Sequence, residues 1–205
     1  MDVSNLSAGP VPQFEVLWLD VETTGLHPKK SGVASLAALP NWETDPAKCF
    51  YREVRCWAGA ELEPAALYTN GFTEEQLFSL ERPSEDQVCD EFLSWVLSSF
   101  SGPPIIAGLN TQFDINFINA MFARSGKALN LRSRFLDVQD IAIFLHTAGL
   151  ATLPYSGSFL RTNLNALLMT FMPGVERGAQ HTCYEDVWLT RNIYAAMLNR
   201  AVQRG

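Results

Sequence analysis

Apolar and polar positions alternate along this chain in two periods, and the switches between them outline its elements. Phe14 to Asp20 (FEVLWLD) is a nearly unbroken run of aromatic and branched apolar residues, which predicts a strand buried on both faces. The turn His27 to Gly32 (HPKKSG) follows, and Val33 to Leu39 (VASLAAL) predicts a second strand, weakened by its alanines. After the loop Pro40 to Lys48, Phe50 to Trp57 (FYREVRCW) shows the period-two alternation of a third strand. A polar turn, TNGFTEEQL, carries Thr73 as a candidate helix cap. From Ser84 the period becomes helical, with Val88, Phe92, Trp95, Val96 and Ser99 on one stripe and Glu85 and Asp86 in the first turn, where the helix dipole favours acids.

The second half repeats the strand-helix alternation. Gly102 to Asn110 (GPPIIAGLN) predicts a short buried strand, and Asp114 opens a helix whose core face holds Phe117, Ile118, Met121 and Phe122. Arg134 to Val138 predicts another strand, leading into a helix over Asp140 to Leu150 and a loop with Pro154 and Gly157. Thr162 or Asn163 caps a helix through Met169, and the last helix runs from Tyr184 to Val202 with Asp186, Leu189, Ile193, Ala196 and Met197 on one face. This order predicts an α/β unit.

Composition bounds the picture. A chain of 205 residues, 47% hydrophobic and 18% charged, is long enough for one sizeable core, so residues 14–203 are expected to form one domain after a disordered, Ser/Gly/Pro-rich tail over 1–13. No apolar run reaches membrane-spanning length and the first residues lack signal-peptide character, so a soluble cytoplasmic or other intracellular protein is expected. Cys49, Cys56, Cys89 and Cys183 form no CxxC pair, which favours reduced buried thiols over a zinc cluster or disulfides. The formal charge of −7 argues against a basic face gripping long duplexes. Bound cations can supply positive charge locally instead, which leaves short or single-stranded ends as the nucleic acid such a chain would hold.

Candidate chemistry sits at the element boundaries. Asp20 and Glu22 are two apart on a predicted strand and share a face at its exit, where two buried carboxylates are costly without a cation. Asp114 and Asp186 each head an apolar helix stripe, and His181 precedes Asp186 by five residues. Each feature has an ordinary reading by itself: a solvated pair, a helix N-cap at Asp114, a surface His–Asp pair. Together, four carboxylates and an imidazole suit a site that holds divalent metal and activates water.

The motifs D-x-E-T-T-G at Asp20 to Gly25, N-x-x-F-D at Asn110 to Asp114 and H-x-x-x-x-D at His181 to Asp186 stand in the order and spacing of a known family. From about Val16 to Leu198 the chain resembles the DEDDh (DnaQ-like) 3'-to-5' exonucleases of the ribonuclease H-like superfamily. Asn70 replaces a usual His in TNGFTEEQL, Asp137 matches an acid often found after the fourth strand, Ser35 stands where an acid is common, and Cys183 replaces an alanine.

The resemblance implies a mixed five-stranded sheet flanked by helices and two Mg2+ or Mn2+ ions held by Asp20, Glu22, Asp114 and Asp186. His181 would be the base that takes a proton from water, releasing nucleoside 5'-monophosphates from a single-stranded or frayed 3' end. It also implies that Thr23 touches the 3' hydroxyl, Leu26 wedges against the terminal base, Thr69 and Asn70 line the nucleotide's pocket, and Asn110 binds substrate. Phe113 is either a base-stacking ring or a core aromatic, and Lys29, Lys30 and Arg161 are either phosphate contacts or solvated charge. DNA and RNA both remain open as the nucleic acid partner, as do a polymerase or processing complex, a homodimer, a catalytically silent binding module and an endonuclease of the wider superfamily.

Overall fold

The computed structural model describes residues 14–129, 134–178 and 181–204; the expected tail over 1–13 lies outside them. In chain order the elements are β1 (Val16–Thr23), β2 (Val33–Pro40), a 3-10 turn (Pro46–Lys48), β3 (Phe50–Glu53), α1 (Pro64–Asn70), α2 (Glu74–Phe78), α3 (Glu85–Ser99) and β4 (Ile105–Gly108). There follow α4 (Thr111–Arg124), β5 (Phe135–Asp137), α5 (Val138–Thr147), the two short strands β6 (Tyr155–Ser156) and β7 (Phe159–Leu160), α6 (Leu164–Phe171) and α7 (Cys183–Arg204).

Five strands form one mixed sheet in the order β3-β2-β1-β4-β5. Strands β1, β2 and β3 pair antiparallel, whereas β1–β4 and β4–β5 are parallel. Strand β1 is therefore the seam between two kinds of ladder, and its side chains alternate between two cores. Leu17, Leu19 and Val21 face a cluster built with Val88, Phe92 and Val96 of α3 and Phe117, Ile118 and Met121 of α4. Val16 and Trp18 face the opposite cluster, built with Val138 and Ala142 of α5, Leu164 and Leu167 of α6, and Val187 and Ile193 of α7. Helices α3, α4 and α7 thus bury most of the stripe that their spacing predicts, and burial of a large apolar side chain contributes about 1.5–3 kcal/mol.

Capping explains several boundaries. Thr73 and Ser84 both form capping boxes, with Gln76 and Gln87 reaching back to the cap N–H groups, and Asn163 caps α6 through Ala166 N. Helix α4 begins at Thr111, before the position the sequence pattern gives it. Its N-cap is Asn110 in the left-handed region (φ 59°), so Asp114 lies within the first turn and is not the cap. The acceptor for that helix end comes from elsewhere: Asp137 accepts from Asn110 N (3.1 Å) and Thr111 N (2.8 Å), and also from Gln139 N (2.9 Å) at the start of α5. Strand β3 stops at Glu53, short of the predicted Trp57: Val54 N still donates to Ala34 O in register, but Arg55 N then donates to Pro83 O and Cys56 N to Leu77 O, away from β2. No helix among the described residues is long and apolar enough to cross a membrane.

Candidate metal centre

The site forms where β1 outlasts β4. The parallel ladder between them covers Val16 to Trp18 only, so the next residues of β1 have no β4 partner on that edge. Gly108, the last residue of β4, makes this parting tight, since a Cβ there would lie 2.9 Å from Leu19 O. The buried N–H of Val21, which has no β4 partner, finds its acceptor in Asp114 Oδ1 at 3.0 Å. Asp114 thus enters from α4 on one face of the sheet, around the free edge of β1.

Asp20 and Glu22 share the opposite face with Trp18, as period two requires. Asp186, in the first turn of α7, comes down on that same face. Ligand oxygens of Asp20, Glu22 and Asp186 all lie within 4.8 Å of one another. Asp114 is outside this tight group yet close enough for its charge to act on Asp20. The register shifts between Glu22 and Thr23, where β2 carries the extra residue, Ala34, so the β1–β2 ladder is irregular just past the two acids.

The electrostatics match such crowding. Burial, then the charges of Asp114, Asp186 and Glu22, holds Asp20 well above the usual carboxylate range, with Arg177 pulling it down. Burial and then Asp186 push Glu22 up to about 7. Burial likewise raises Asp114, against the Val21 N–H bond, and Asp186, against Arg177. Asp114 and Asp186 are buried and Asp20 and Glu22 half-buried, so the four carboxylates are short of positive charge, and their oxygens are the hard donors that Mg2+ and Mn2+ prefer. The donor set fits a divalent cation.

His181 sits at the rim, its backbone N–H donating to Thr69 O at 3.4 Å. Burial, followed by the nearby Arg177 charge, lowers its pKa from 6.5. Arg177 Nη1 lies 2.9 Å from His181 Nε2, and a guanidinium can only donate, so Nε2 is the unprotonated nitrogen. Arg177 also holds Asp186 with both arms, Nε to Oδ1 at 2.6 Å and Nη2 to Oδ2. No signal in the sequence marks Arg177, which lies in the irregular segment before α7.

The other predicted residues surround this cluster. Thr23 is buried and its hydroxyl donates to Gly25 O at 2.8 Å, while Leu26 is 67% exposed with its N–H on Glu63 Oε1. Thr69 is exposed on α1, its hydroxyl on Ala65 O. The Asn70 amide is engaged within the protein: Nδ2 donates to Thr23 O at 3.0 Å and Oδ1 accepts from Phe72 N at 3.2 Å. This ties the end of α1 to the exit of β1. Asn110 is exposed at the head of α4, and Phe113 is half-buried with its ring 4.8 Å from that of Phe117. Glu63, which the sequence pattern does not pick out, organises the Gly25–Leu26 turn from the N-cap of α1; Pro64 at the first helical position and Gly71 after the last were the available signals for that helix. Ser35 and Cys183, the two departures from the motif pattern, touch each other, Oγ to Sγ at 3.1 Å, beneath the carboxylates.

The strand order and the helices on both faces define a ribonuclease H-like fold. Solved structures of exonuclease I share it. The Escherichia coli enzyme in complex with a dT13 oligonucleotide superposes with a TM-score of 0.71 at 21% identity, over 94% of this chain and 42% of that one. The moderately thermophilic exonuclease I of Methylocaldum szegediense gives 0.68 at 22% identity, over 93% and 41%, and a zinc-bound E. coli exonuclease I–single-stranded DNA complex gives 0.69 at 19%, over 94% and 42%. This chain therefore spans about two fifths of the length of these neighbours. No family model matches the sequence.

Proposed function

We propose that residues 14–203 form a metal-dependent 3'-to-5' exonuclease domain that acts on single-stranded or frayed nucleic acid. The observation that carries this reading is the convergence of Asp20, Glu22 and Asp186 within 4.8 Å, with Asp114 bound to the Val21 N–H beside them and His181 at the rim. Oligonucleotide complexes among the exonuclease I structures of the same fold support the substrate class.

In this reading Asp20, Glu22, Asp114 and Asp186 hold two Mg2+ or Mn2+ ions. Bound there, the ions supply positive charge against the phosphate and acidify water. Asp114 and Asp186 are kept from water and crowd the half-buried Asp20 and Glu22, so ionising the whole cluster calls for cations beside it. His181 Nε2 takes the proton from the attacking water, a task for which a neutral imidazole with an unprotonated Nε2 is the required form. Leu26, exposed on the turn after β1, provides an apolar edge for the terminal base, and the half-buried Phe113 offers part of its ring for stacking worth about 1–3 kcal/mol. In this reading Thr23, Thr69 and Asn110 contact the terminal nucleotide, and Asn70 fixes the β1 exit that carries Thr23.

The test is a 5'-labelled single strand incubated with Mg2+ or Mn2+, and in parallel with chelator. A ladder descending in single-nucleotide steps, lost with chelator and in Asp20→Ala, is expected; internal cuts, or cleavage that persists in chelator, would refute the assignment. His181→Ala should lower the rate by orders of magnitude while Mn2+ still binds. DNA and RNA strands of equal sequence, run side by side, decide between the two substrates.

A further inference from the structure

Arg177 has no part in the roles above, yet its guanidinium bonds two members of the cluster. It grips both oxygens of Asp186 and also donates to Nε2 of His181. Its side chain is 12% exposed and that of Asp186 is 7%. Its charge offsets Asp20 and Glu22 as well. One side chain therefore engages a carboxylate that suits a cation and the lone pair that suits a proton.

We propose that Arg177 and the divalent cation compete for this site: Arg177 is a tethered counter-cation that holds Asp186 and His181 and is displaced from them when metal binds. The proposal rests on the metal-dependent reading above. Buried carboxylates need positive charge beside them. Arg177 satisfies that need from within the chain, through both oxygens of Asp186. A metal ion makes the same demand on Asp186, and a guanidinium kept in place would then sit against a like charge. Proton transfer to His181 Nε2 likewise requires that Arg177 Nη1 withdraw from it. The chain permits the exchange. Arg177 lies before the start of α7 at Cys183, so it can move without disturbing the helix that carries Asp186. A cavity of about 430 Å3, lined by Leu168, Met169, Val175, Arg177 and His181, adjoins it and leaves room for the side chain to turn away. Arg177 acts as a positioning residue, through Asp186 and His181.

Calorimetric titration with Mn2+ of the wild type, Arg177→Gln and Arg177→Lys provides the test. Arg177→Gln should bind Mn2+ about tenfold more tightly, near the lower end of what charge-assisted hydrogen bonds to an ion contribute. Arg177→Lys, which cannot engage both oxygens of Asp186 and His181 at once, should fall between them. A merely structural bridge would leave affinity unchanged or weaken it, so equal or weaker binding by Arg177→Gln overturns the proposal and leaves the metal reading standing. Absence of Mn2+ binding in all three proteins overturns the metal reading and this proposal with it. A second measurement needs no variant: the Nε–H resonance of Arg177 in the wild type should shift as Mg2+ is added, in step with the resonances around Asp20. If it stays fixed while those saturate, Arg177 is not displaced.

Discussion

Replacing Glu22 by Gln should make the metal-free protein more stable, and increasingly so as pH rises. Glu22 titrates from an ordinary 4.5 up to about 7 in the folded chain, through burial first and the Asp186 charge second. A carboxylate whose folded pKa is raised binds more protons folded than unfolded. Its contribution is therefore fully present below 4.5 and is lost as pH climbs through about 7. The shift corresponds to about 3 kcal/mol at most, and roughly half of that remains if solvent at the partly exposed carboxylate screens the rest. For a chain of this size about 1.5–3 kcal/mol moves the melting temperature by roughly 3–10 °C.

The assay is thermal unfolding followed by circular dichroism, in chelator, at pH 5 and at pH 8, for the wild type and Glu22→Gln. Other titrating groups are common to both proteins, so only the gap between their melting temperatures is read. That gap should be small at pH 5 and several degrees in favour of Gln at pH 8. Saturating Mn2+ should reverse the order at pH 8, because a bound cation stabilises the native state of the protein that keeps its ligand. A gap independent of pH would refute the reasoning, since the cluster would then not be holding Glu22 protonated.

Three further outcomes follow from individual contacts. Gly108→Ala should lower stability by about 1–3 kcal/mol in urea unfolding, because its Cβ would press on the Leu19 carbonyl at 2.9 Å and the backbone there has little freedom to yield. Asp137→Ala removes the acceptor for Asn110 N, Thr111 N and Gln139 N and should cost about 2 kcal/mol or more; it should also weaken Mn2+ binding in calorimetry, since α4 carries Asp114. Leu26→Ala should leave unfolding within about 0.5 kcal/mol of wild type, as expected for a 67% exposed side chain, while raising KM for a single strand in a steady-state assay.

Much of the scaffold was legible in the sequence because its elements bury regular stripes. Val88, Phe92 and Val96 of α3, Phe117, Ile118, Met121 and Phe122 of α4, and Leu189, Ile193 and Met197 of α7 are inside, with Trp95, Ser99 and Ala196 half-buried; Thr73 caps as expected, and of Thr162 and Asn163 it is Asn163 that caps α6. Helix α1 escaped because only Asn70 among its seven residues is buried, which leaves no apolar period to read. The β6–β7 ribbon escaped because two-residue strands carry no period either; only Gly157, at φ 59°, marks its turn. The candidate ligands were legible as spacing: Asp20 and Glu22 do share a face, and Asp114 and Asp186 do stand in the first turns of their helices. Arg177 was not, because its contacts depend on the path of an irregular segment, which no local pattern encodes. Asn70 shows the same limit, since nothing local says that its amide will bind the Thr23 carbonyl.

The geometry also accounts for how a chain of net charge −7 concentrates its cost at one point. Asp114 arrives through the α4 layer and Asp186 through the α7 layer, and each layer is anchored by its own core. Neither acid can retreat from β1 without unpacking the stripe behind it, Phe117 to Phe122 in one case and Val187 to Ile193 in the other. Relief must therefore come from a cation or from protonation, and the structure has the signature of both: raised carboxylate pKa values, and a guanidinium clasped on Asp186. The free edge of β1 makes the convergence feasible, because the acid that satisfies Val21 N–H belongs to the opposite helical layer from the one that meets Glu22. A longer β4 would pair that edge and remove the reason for Asp114 to be there.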